Sequence, residues 1–336
     1  MSSTLEIPTA AAEPLSLSYQ RCCLCDVEDA TPVAVGEDFE YRVTADTFVA
    51  MRCRQCGLVF LNPRPTDEEL SRIYPPSYHA FEFTEENFGL AHRVRSRLEA
   101  RRLLSYCRDL SEEARILDIG CGDGFHLRLL RECGKPGWQL EGVDASDRAV
   151  MAARDSGLAV HLGTAETADL RENYYDLVLL IATVEHVGDP LDLLRVAAHV
   201  LRPGGRVVVV TDNTATLDFR MFGGRHWGGY HFPRHWNLFN KPTLRRLSLQ
   251  AGLEVVELTT ILSPVNWVHS IRNRLVDRRA PRWLVERFSL KSPVSLGVFT
   301  IMDGAFRLFG RGALLKLVAQ KPLNNISQVT SSRPAV

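Results

Sequence analysis

The chain has 336 residues, 45% of them apolar and 24% charged, with 40 basic residues against 40 acidic ones. That balance argues against a protein built around a polyanion, and no run of about 18 uninterrupted apolar residues appears, so no membrane span is expected. The length accommodates one large domain with attachments.

Residues 1–18 are rich in Ala, Ser, Thr and Pro and lack both a basic start and a long apolar core, so they read as a disordered tail rather than a signal peptide. Without an export signal the eight cysteines are expected in a reducing, cytoplasmic setting, where paired spacing points to metal rather than to disulfides. Residues 19–62 carry Cys22-x2-Cys25 and Cys53-x2-Cys56, two pairs separated by 27 residues. Each pair places two thiolates on one turn, and two such turns supply the tetrahedral sulfur set that zinc prefers. Gly57 permits a tight knuckle after Cys56, and Cys22 is preferred to Cys23 because it gives the two-residue spacing. With strand-like residues 46–51 between the pairs, the segment reads as a zinc ribbon; unpaired thiols in a small core are the alternative. Four thiolates leave no open coordination position, so the expected Zn2+ is structural.

Residues 63–110 form a proline-marked, helical linker. Thr66 with Glu69 makes a capping box that opens a short helix through Ile73, residues 74–78 interrupt it, and a charged helix runs from about Leu90 to Leu110. From 111 the pattern changes to strands near 115–119, 139–143, 159–162, 175–181 and 205–211 with helices between, the signature of an α/β, Rossmann-like parallel sheet covered on both faces.

The first of these strands, Ile116–Ile119, runs into Gly120, Gly122 and Gly124. Glycine lets the main chain turn sharply and lets a ligand approach it. Phe125 breaks the dinucleotide fingerprint, and no Gly-Lys-Ser/Thr ending makes a phosphate loop. Asp118, before the glycines, suits a cation and repels phosphate. Asp144 ends the second strand, where an acid can accept both hydroxyls of a ribose. A ligand with an adenosine end and a cationic, amino-acid-like end fits.

The ordered set LDIGCGDG, EGVDAS, GTAETADL, YDLVLLIATVEHVGDP and LRPGGRVVVV resembles the successive motifs of class I S-adenosylmethionine-dependent methyltransferases over roughly 110–262. The resemblance implies S-adenosyl-L-methionine as cofactor. Gly120, Cys121, Gly122 and Gly124 would line its turn, with Asp118 near the methionine amino group, Asp144 and Ala145 at the ribose, and Ala165 and Glu166 bordering the adenine. It also implies a seven-stranded sheet, with Glu254–Thr260 as the sixth strand and Leu314–Gln320 returning antiparallel as the seventh. Residues 263–312 then form a helical insertion in a core ending at 322, followed by a disordered tail, 323–336. That insertion mixes Trp267, Trp283, Phe288, Phe299 and Phe306 with arginines, as a helical cap over the substrate mouth or as a peripheral contact with the inner face of a membrane.

Transfer to a hydroxyl needs a base to accept a proton. Glu185 and His186 close the fourth-strand motif; they resemble the metal-dependent ubiquinone-pathway and small-RNA methyltransferases, but Ala182 replaces a second glutamate, which weighs against catalytic Mg2+. The run 226–236 holds three histidines, two tryptophans, a tyrosine and an arginine. His231 or His235 is expected as base and Arg234 or Tyr230 as the group that orients the acceptor, with the aromatics stacking on a sugar or an aromatic ring. Similar runs occur in zinc-ribbon methyltransferases of bacterial glycan and natural-product clusters. The expected activity is therefore methyl transfer to a hydroxyl of a glycan, lipid-linked or natural-product small molecule. The alternatives are C-methylation of a nucleotide sugar, a ribbon-guided nucleic-acid methyltransferase (disfavoured by neutral charge), and a non-catalytic ribbon scaffold.

Overall fold

A computed structural model describes residues 13–75 and 85–323. The N-terminal part is a small antiparallel module of β1 (Leu17–Ser18), β2 (Ala30–Gly36), β3 (Phe48–Cys53), β4 (Val59–Leu61) and β5 (Arg64–Pro65). Because β1 pairs with β5 and Leu15 is buried, residues 13–18 belong to the fold, and the tail boundary expected at 18 moves back. The expected capping box is not made. Thr66 caps no backbone N–H, and Glu69 instead accepts the N–H of Ser16 at 2.9 Å and pairs with Arg72. A 3-10 turn, Asp67–Glu69, leads into α1 (Leu70–Ile73), which ends where expected. Then comes α2 (Glu85–Tyr106), interrupted at Gly89 by φ 47, ψ −117.

The core follows as β6 (Arg115–Ile119), α3 (Phe125–Cys133), β7 (Gln139–Asp144), α4 (Asp147–Asp155), β8 (Ala159–Leu162), β9 (Tyr175–Ile181), α5 (Pro190–Val200), β10 (Leu201–Asp212) and α6 (Leu217–Phe222). After these come β11 (Asn237–Leu238), α7 (Lys241–Gln250), β12 (Glu254–Ile261), α8 (Val265–Asp277), α9 (Arg282–Glu286), α10 (Pro293–Leu308) and β13 (Leu314–Gln320). Side chain–backbone caps fix where the helices start: Asp189 accepts from the N–H groups of Leu191 and Asp192, and Asn240 and Thr243 bond each other's backbone reciprocally at the head of α7.

Seven strands stand in the order β12-β13-β10-β9-β6-β7-β8, parallel from β10 to β8, with β13 antiparallel between β10 and β12. The central place of β9 follows from its apolar run: Leu177, Val178, Leu179 and Leu180 are buried, as a strand covered on both faces requires. In β10 the pairing register shifts between Leu201 and Arg206, across the Pro203-Gly204-Gly205 turn.

The small module is stitched to the core. Its sheet, β11-β4-β3-β2, takes β11 from the segment after β10. One hydrophobic cluster joins Phe48, Val59 and Leu61 of the module to Trp227, Tyr230, Phe232 and Trp236 of the 226–236 run and to Trp267 and Phe299 of α8 and α10. Ribbon segment, histidine run and insertion thus form one cap beyond the ends of β9 and β10.

Candidate active site

The turn after β6 holds Gly120, Gly122 and Gly124 at φ +76°, +55° and +81°, a region in which side-chain-bearing residues are strained. A Cβ on Gly120 would lie 2.6 Å from Thr183 Cγ2, and one on Gly124 would strike Leu158. A Cβ built on Gly122 would meet nothing within 4 Å, so on that side the main chain faces open space. Cys121 turns its thiol inward against Leu127, Val150 and Val160, and burial pushes that thiol up, so only its backbone belongs to the turn.

Asp118 is buried, yet among the described residues its Oδ2 accepts no hydrogen bond; His126 Nδ1 stands 3.5 Å away. A desolvated carboxylate left in this state favours a cationic partner. The Asp144 carboxylate points at the turn: Oδ2 accepts the Gly122 N–H and Oδ1 the Ser146 N–H, both at 2.8 Å. Burial raises its pKa, and those two N–H bonds oppose the rise. Ala145 and Glu166 are exposed, and Ala165 is buried. Open main chain, unsatisfied Asp118 and inward Asp144 fit the S-adenosylmethionine expected there.

At the end of β9 the chain bends through Ala182 (φ +54°), and Thr183 Oγ1 donates to the Ile119 carbonyl at 3.0 Å, pressing residues 183–186 against the glycine turn. The buried Glu185 carboxylate accepts Thr211 Oγ1 at 2.9 Å, while its backbone carbonyl receives the N–H groups of Trp236 (2.7 Å) and Asn237 (3.1 Å). This ties the histidine run to the strand end. His235 lies edge-on to His186, ring centroids 4.5 Å apart. His235 Nδ1 is 2.8 Å from the Gly229 carbonyl, which can only accept, so Nδ1 carries the proton and Nε2 is the basic nitrogen. Tyr74 places its hydroxyl 2.8 Å from His186 Nδ1.

Burial raises the Glu185 pKa to about 7, with Asp212 adding to the rise and His235 opposing it. Burial alone would lower the His235 pKa, but Asp212 (Oδ2 at 3.3 Å), Glu185 and the Gly229 carbonyl together raise it. One ligand atom each from Glu185, His186 and His235 lies within 4.8 Å of the others. These three are the residues the fold brings together.

Three expectations for the 226–236 run are corrected. Arg234 is wholly buried: Nη1 and Nη2 pair with Asp38, Nε donates to the Ile73 carbonyl at 2.6 Å, and the guanidinium covers Tyr41, so it is a structural cation and not an acceptor clamp. Tyr230 is buried, its hydroxyl donating to the Gly223 carbonyl, and it stacks on Phe232. Trp227 and Trp236 are buried too, so none of these rings offers a face to a sugar or aromatic acceptor. His231 is also inside, at φ +39°, with Nδ1 3.0 Å from Glu40; burial lowers its pKa although Glu40 raises it. Glu40 also takes His269 Nδ1 at 2.8 Å; burial would raise its pKa, but the two histidines hold it well below the ordinary carboxylate range. His231 is thus further from open space than His235.

Cys22, Cys25, Cys53 and Cys56 converge, with all four sulfurs within 4.8 Å of one another and Cys22 Sγ 3.6 Å from Cys56 Sγ. The two knuckles are alike. Cys25 and Asp26 donate N–H groups to the Cys22 carbonyl, Gly57 donates to that of Cys53, and both turns close with a left-handed residue, Asp26 at φ +53° and Gly57 at +79°. Cys23 points to Asn237 Oδ1, at 3.6 Å. Four sulfurs so crowded are a donor set that fits a tetrahedral Zn2+.

Sequence reasoning missed Asp212, Asp38, Glu40 and Tyr74. Asp212 had the signal that revealed Asp118 and Asp144, an acid ending an apolar strand (Val207–Val210, then Thr211-Asp212). Asp38, Glu40 and Tyr74 meet their partners across 112 to 229 residues of chain, and nothing local marks them.

Residues 90–258 match the methyltransferase-domain family. The chain is similar to a ubiquinone biosynthesis O-methyltransferase of Cereibacter sphaeroides, at 35% identity over 184 residues, 50% of this chain and 73% of that one. It is also similar to the protein of the same name from Ruegeria pomeroyi, at 34% over 184 residues with the same shares of each chain. Among solved structures, phosphoethanolamine N-methyltransferase 2 of Haemonchus contortus, in complex with S-adenosyl-L-methionine, aligns at TM-score 0.51 and 18% identity, covering 87% of this chain and 68% of that one, a likeness of fold.

Proposed function

This chain belongs to the S-adenosylmethionine-dependent methyltransferases, and from that premise we propose that it methylates a hydroxyl of a small molecule, with His235 as the base. The observation that carries the reading is the meeting of His235 with Glu185 and His186 at the strand end pressed against the glycine turn. S-adenosylmethionine, when bound, supplies a methyl group on a positively charged sulfur. Asp118 balances the cationic amino end, Asp144 takes the ribose hydroxyls, and Gly122 leaves room for the ligand against the main chain. His235, fixed through Nδ1, presents Nε2 to the acceptor proton. Asp212 and Glu185 stabilise the imidazolium that results. The O-methyltransferase relatives support an oxygen acceptor; a glycan, lipid-linked or natural-product alcohol is the class proposed.

A second reading rests on the same three side chains. His235 stands as a third ligand beside Glu185 and His186 although Ala182 offers none, so a divalent cation there would fix an acceptor oxygen. Zn2+ at Cys22, Cys25, Cys53 and Cys56 would brace the cap.

The test is incubation of the full chain with labelled S-adenosylmethionine and hydroxyl-bearing acceptors, with product mass spectrometry, for wild type, His235→Ala and chelator-treated enzyme. A new methyl ether made by wild type and lost in His235→Ala supports the base. Loss on chelation with recovery on adding Mg2+ or Mn2+ selects the cation. A methyl group found on carbon or nitrogen overturns the oxygen assignment.

A further inference from the structure

The insertion carries a surface that the active site does not use. On α10 the residues at 294, 297, 298, 301, 305 and 308 are exposed, and they are Val, Gly, Val, Ile, Ala and Leu. Their spacing of three and four places them along one helix face. Ile301 is 78% exposed, Leu308 85% and the following Phe309 80%, the most exposed large aliphatic and aromatic side chains of the insertion. The opposite face is committed. Ser295 and Phe299 are buried, Phe299 stacks on Trp267 of α8 at 6.0 Å, and Asp303 accepts the N–H groups of Ser263 and Ala313. So α10 is apolar on both sides: Phe299, Leu296, Met302 and Phe306 pack inward around Asp303, and a second apolar row faces out.

The insertion that carries this row is basic. Residues 263–312 hold nine Arg and Lys against three Asp and Glu, in a chain whose net charge is zero. Arg274, Arg278, Arg279, Arg282, Arg287, Lys291, Arg307 and Arg311 are exposed. The acids cancel only part of this charge. Asp277 is engaged by Arg225 and His226, Glu286 by Arg282, and Asp303 is buried. Trp283, 62% exposed, adds an aromatic of the kind that settles at a membrane interface.

We propose that this face of the insertion docks on an anionic lipid bilayer, with the α10 row entering the acyl boundary and the surrounding arginines meeting lipid phosphates. Charge decides the occupant. A second copy would bring its own basic insertion against this one, whereas an anionic bilayer complements it. Among the described residues no helix is long and apolar enough to cross a membrane, so the contact is interfacial. It lies one helix from the histidine run, since α8 packs between α10 and the 228–230 turn, with Gly228 N–H on Ser270 Oγ at 2.8 Å. An acceptor held in the lipid would thus present its hydroxyl close to His235, but the docking stands independently of that chemistry.

The experiment is flotation of the full chain with vesicles of phosphatidylcholine alone and with about 30% phosphatidylglycerol, at physiological and high salt. Wild type is expected to float with the anionic vesicles, to lose most of that binding in high salt, and to bind neutral vesicles at least about tenfold less. The pair Val298→Glu, Ile301→Glu should lower anionic binding by about tenfold or more while calorimetric S-adenosylmethionine binding, which reports an intact core, stays unchanged. Arg278→Glu, Arg279→Glu should do the same through charge alone. No flotation of wild type, or equal flotation of the glutamate variant, overturns the proposal. So does a lipid-free wild-type dimer that the glutamate pair converts to monomer, because a second copy would then cover the face.

Discussion

Replacing Asp38 with alanine asks whether Arg234 is part of the scaffold or part of the acceptor site. Both side chains are wholly buried, and the pair is bidentate, Nη1 to Oδ1 at 3.2 Å and Nη2 to Oδ2 at 3.0 Å. The same carboxylate accepts the N–H groups of Tyr41 at 3.0 Å and Val43 at 3.1 Å, so it also shapes the turn that delivers Glu40 to His231. Asp38→Ala takes the bidentate carboxylate away from a wholly buried guanidinium that keeps the Ile73 and Phe232 carbonyls and the Tyr41 ring. Stranding a buried charge costs about 3–5 kcal/mol, a large part of the roughly 5–15 kcal/mol that stabilises a folded domain. The assay is urea unfolding followed by tryptophan fluorescence, since Trp227, Trp236 and Trp267 share the cluster around this pair. Asp38→Ala should lower the midpoint sharply, and the double change Asp38→Leu, Arg234→Met should recover most of the loss, because an apolar pair strands no charge. Were Arg234 an acceptor clamp, Asp38→Ala would leave the midpoint alone and Arg234→Lys would raise KM only. A midpoint change for Asp38→Ala worth less than about 0.5 kcal/mol refutes the scaffold assignment.

His235→Ala should lower kcat by about 10²–10⁴, the range for loss of a general base, with S-adenosylmethionine binding intact by calorimetry; an unchanged kcat removes His235 from the chemistry. Because Asp212 and Glu185 keep the His235 proton on to a higher pH than usual, kcat/KM of wild type should fall as pH drops through a value above 6.5, and a flat profile down to pH 6 contradicts a neutral imidazole base. Asp144→Ala removes the acceptor of the Gly122 and Ser146 N–H groups along with the proposed ribose contact, and should weaken S-adenosylmethionine binding by about 10- to 100-fold, a hydrogen bond to a charged group contributing about 1.5–3 kcal/mol; wild-type affinity would contradict the pocket. Cys53→Ser should abolish bound zinc as read by mass spectrometry of metals, whereas Cys23→Ser, whose sulfur points at Asn237, should leave it in place; zinc retained by Cys53→Ser contradicts the four-sulfur site.

The core was legible because its signals are local. Strands 115–119, 159–162 and 175–181 are found with their expected ends: Gly120 and Gly163 close the first two, and the third is an apolar run of strand length. The glycine turn was legible for the same reason, its left-handed positions being a property of three residues. The cap was not. From sequence, Arg234, Tyr230 and the tryptophans of 226–236 looked like a binding loop, because polar and aromatic residues in a connection usually mean function. Arg234 finds Asp38 196 residues earlier, and the rings pack with Phe48, Val59 and Leu61 of the module, so the run becomes core. Likewise Thr66 and Glu69 have the spacing of a capping box, yet Ser16 and Arg72 compete for the same carboxylate and win. The Asp38 and Ser16 contacts are tertiary in origin, and no window of sequence contains them.

The placement of the small module explains why a cysteine-stapled sheet belongs on an α/β core. β4 pairs with β11, which begins immediately after Trp236, and that same stretch of backbone hangs from the Glu185 carbonyl. The histidine run is therefore held at one end by the strand that carries Glu185 and His186 and along its length by residues of the module, through Asp38 to Arg234 and Glu40 to His231. A loop held from one side would leave His235 free to swing; held from both, its Nε2 keeps one direction. Rigidity of this kind is what a proton acceptor needs at a methyl transfer, where a misplacement of about 1 Å costs about 10²-fold. The four sulfurs stand where the module meets α7, whose Arg246 and Gln250 donate to the Leu24 carbonyl, and a metal there would tie the two knuckles together and with them the strands that grip the loop.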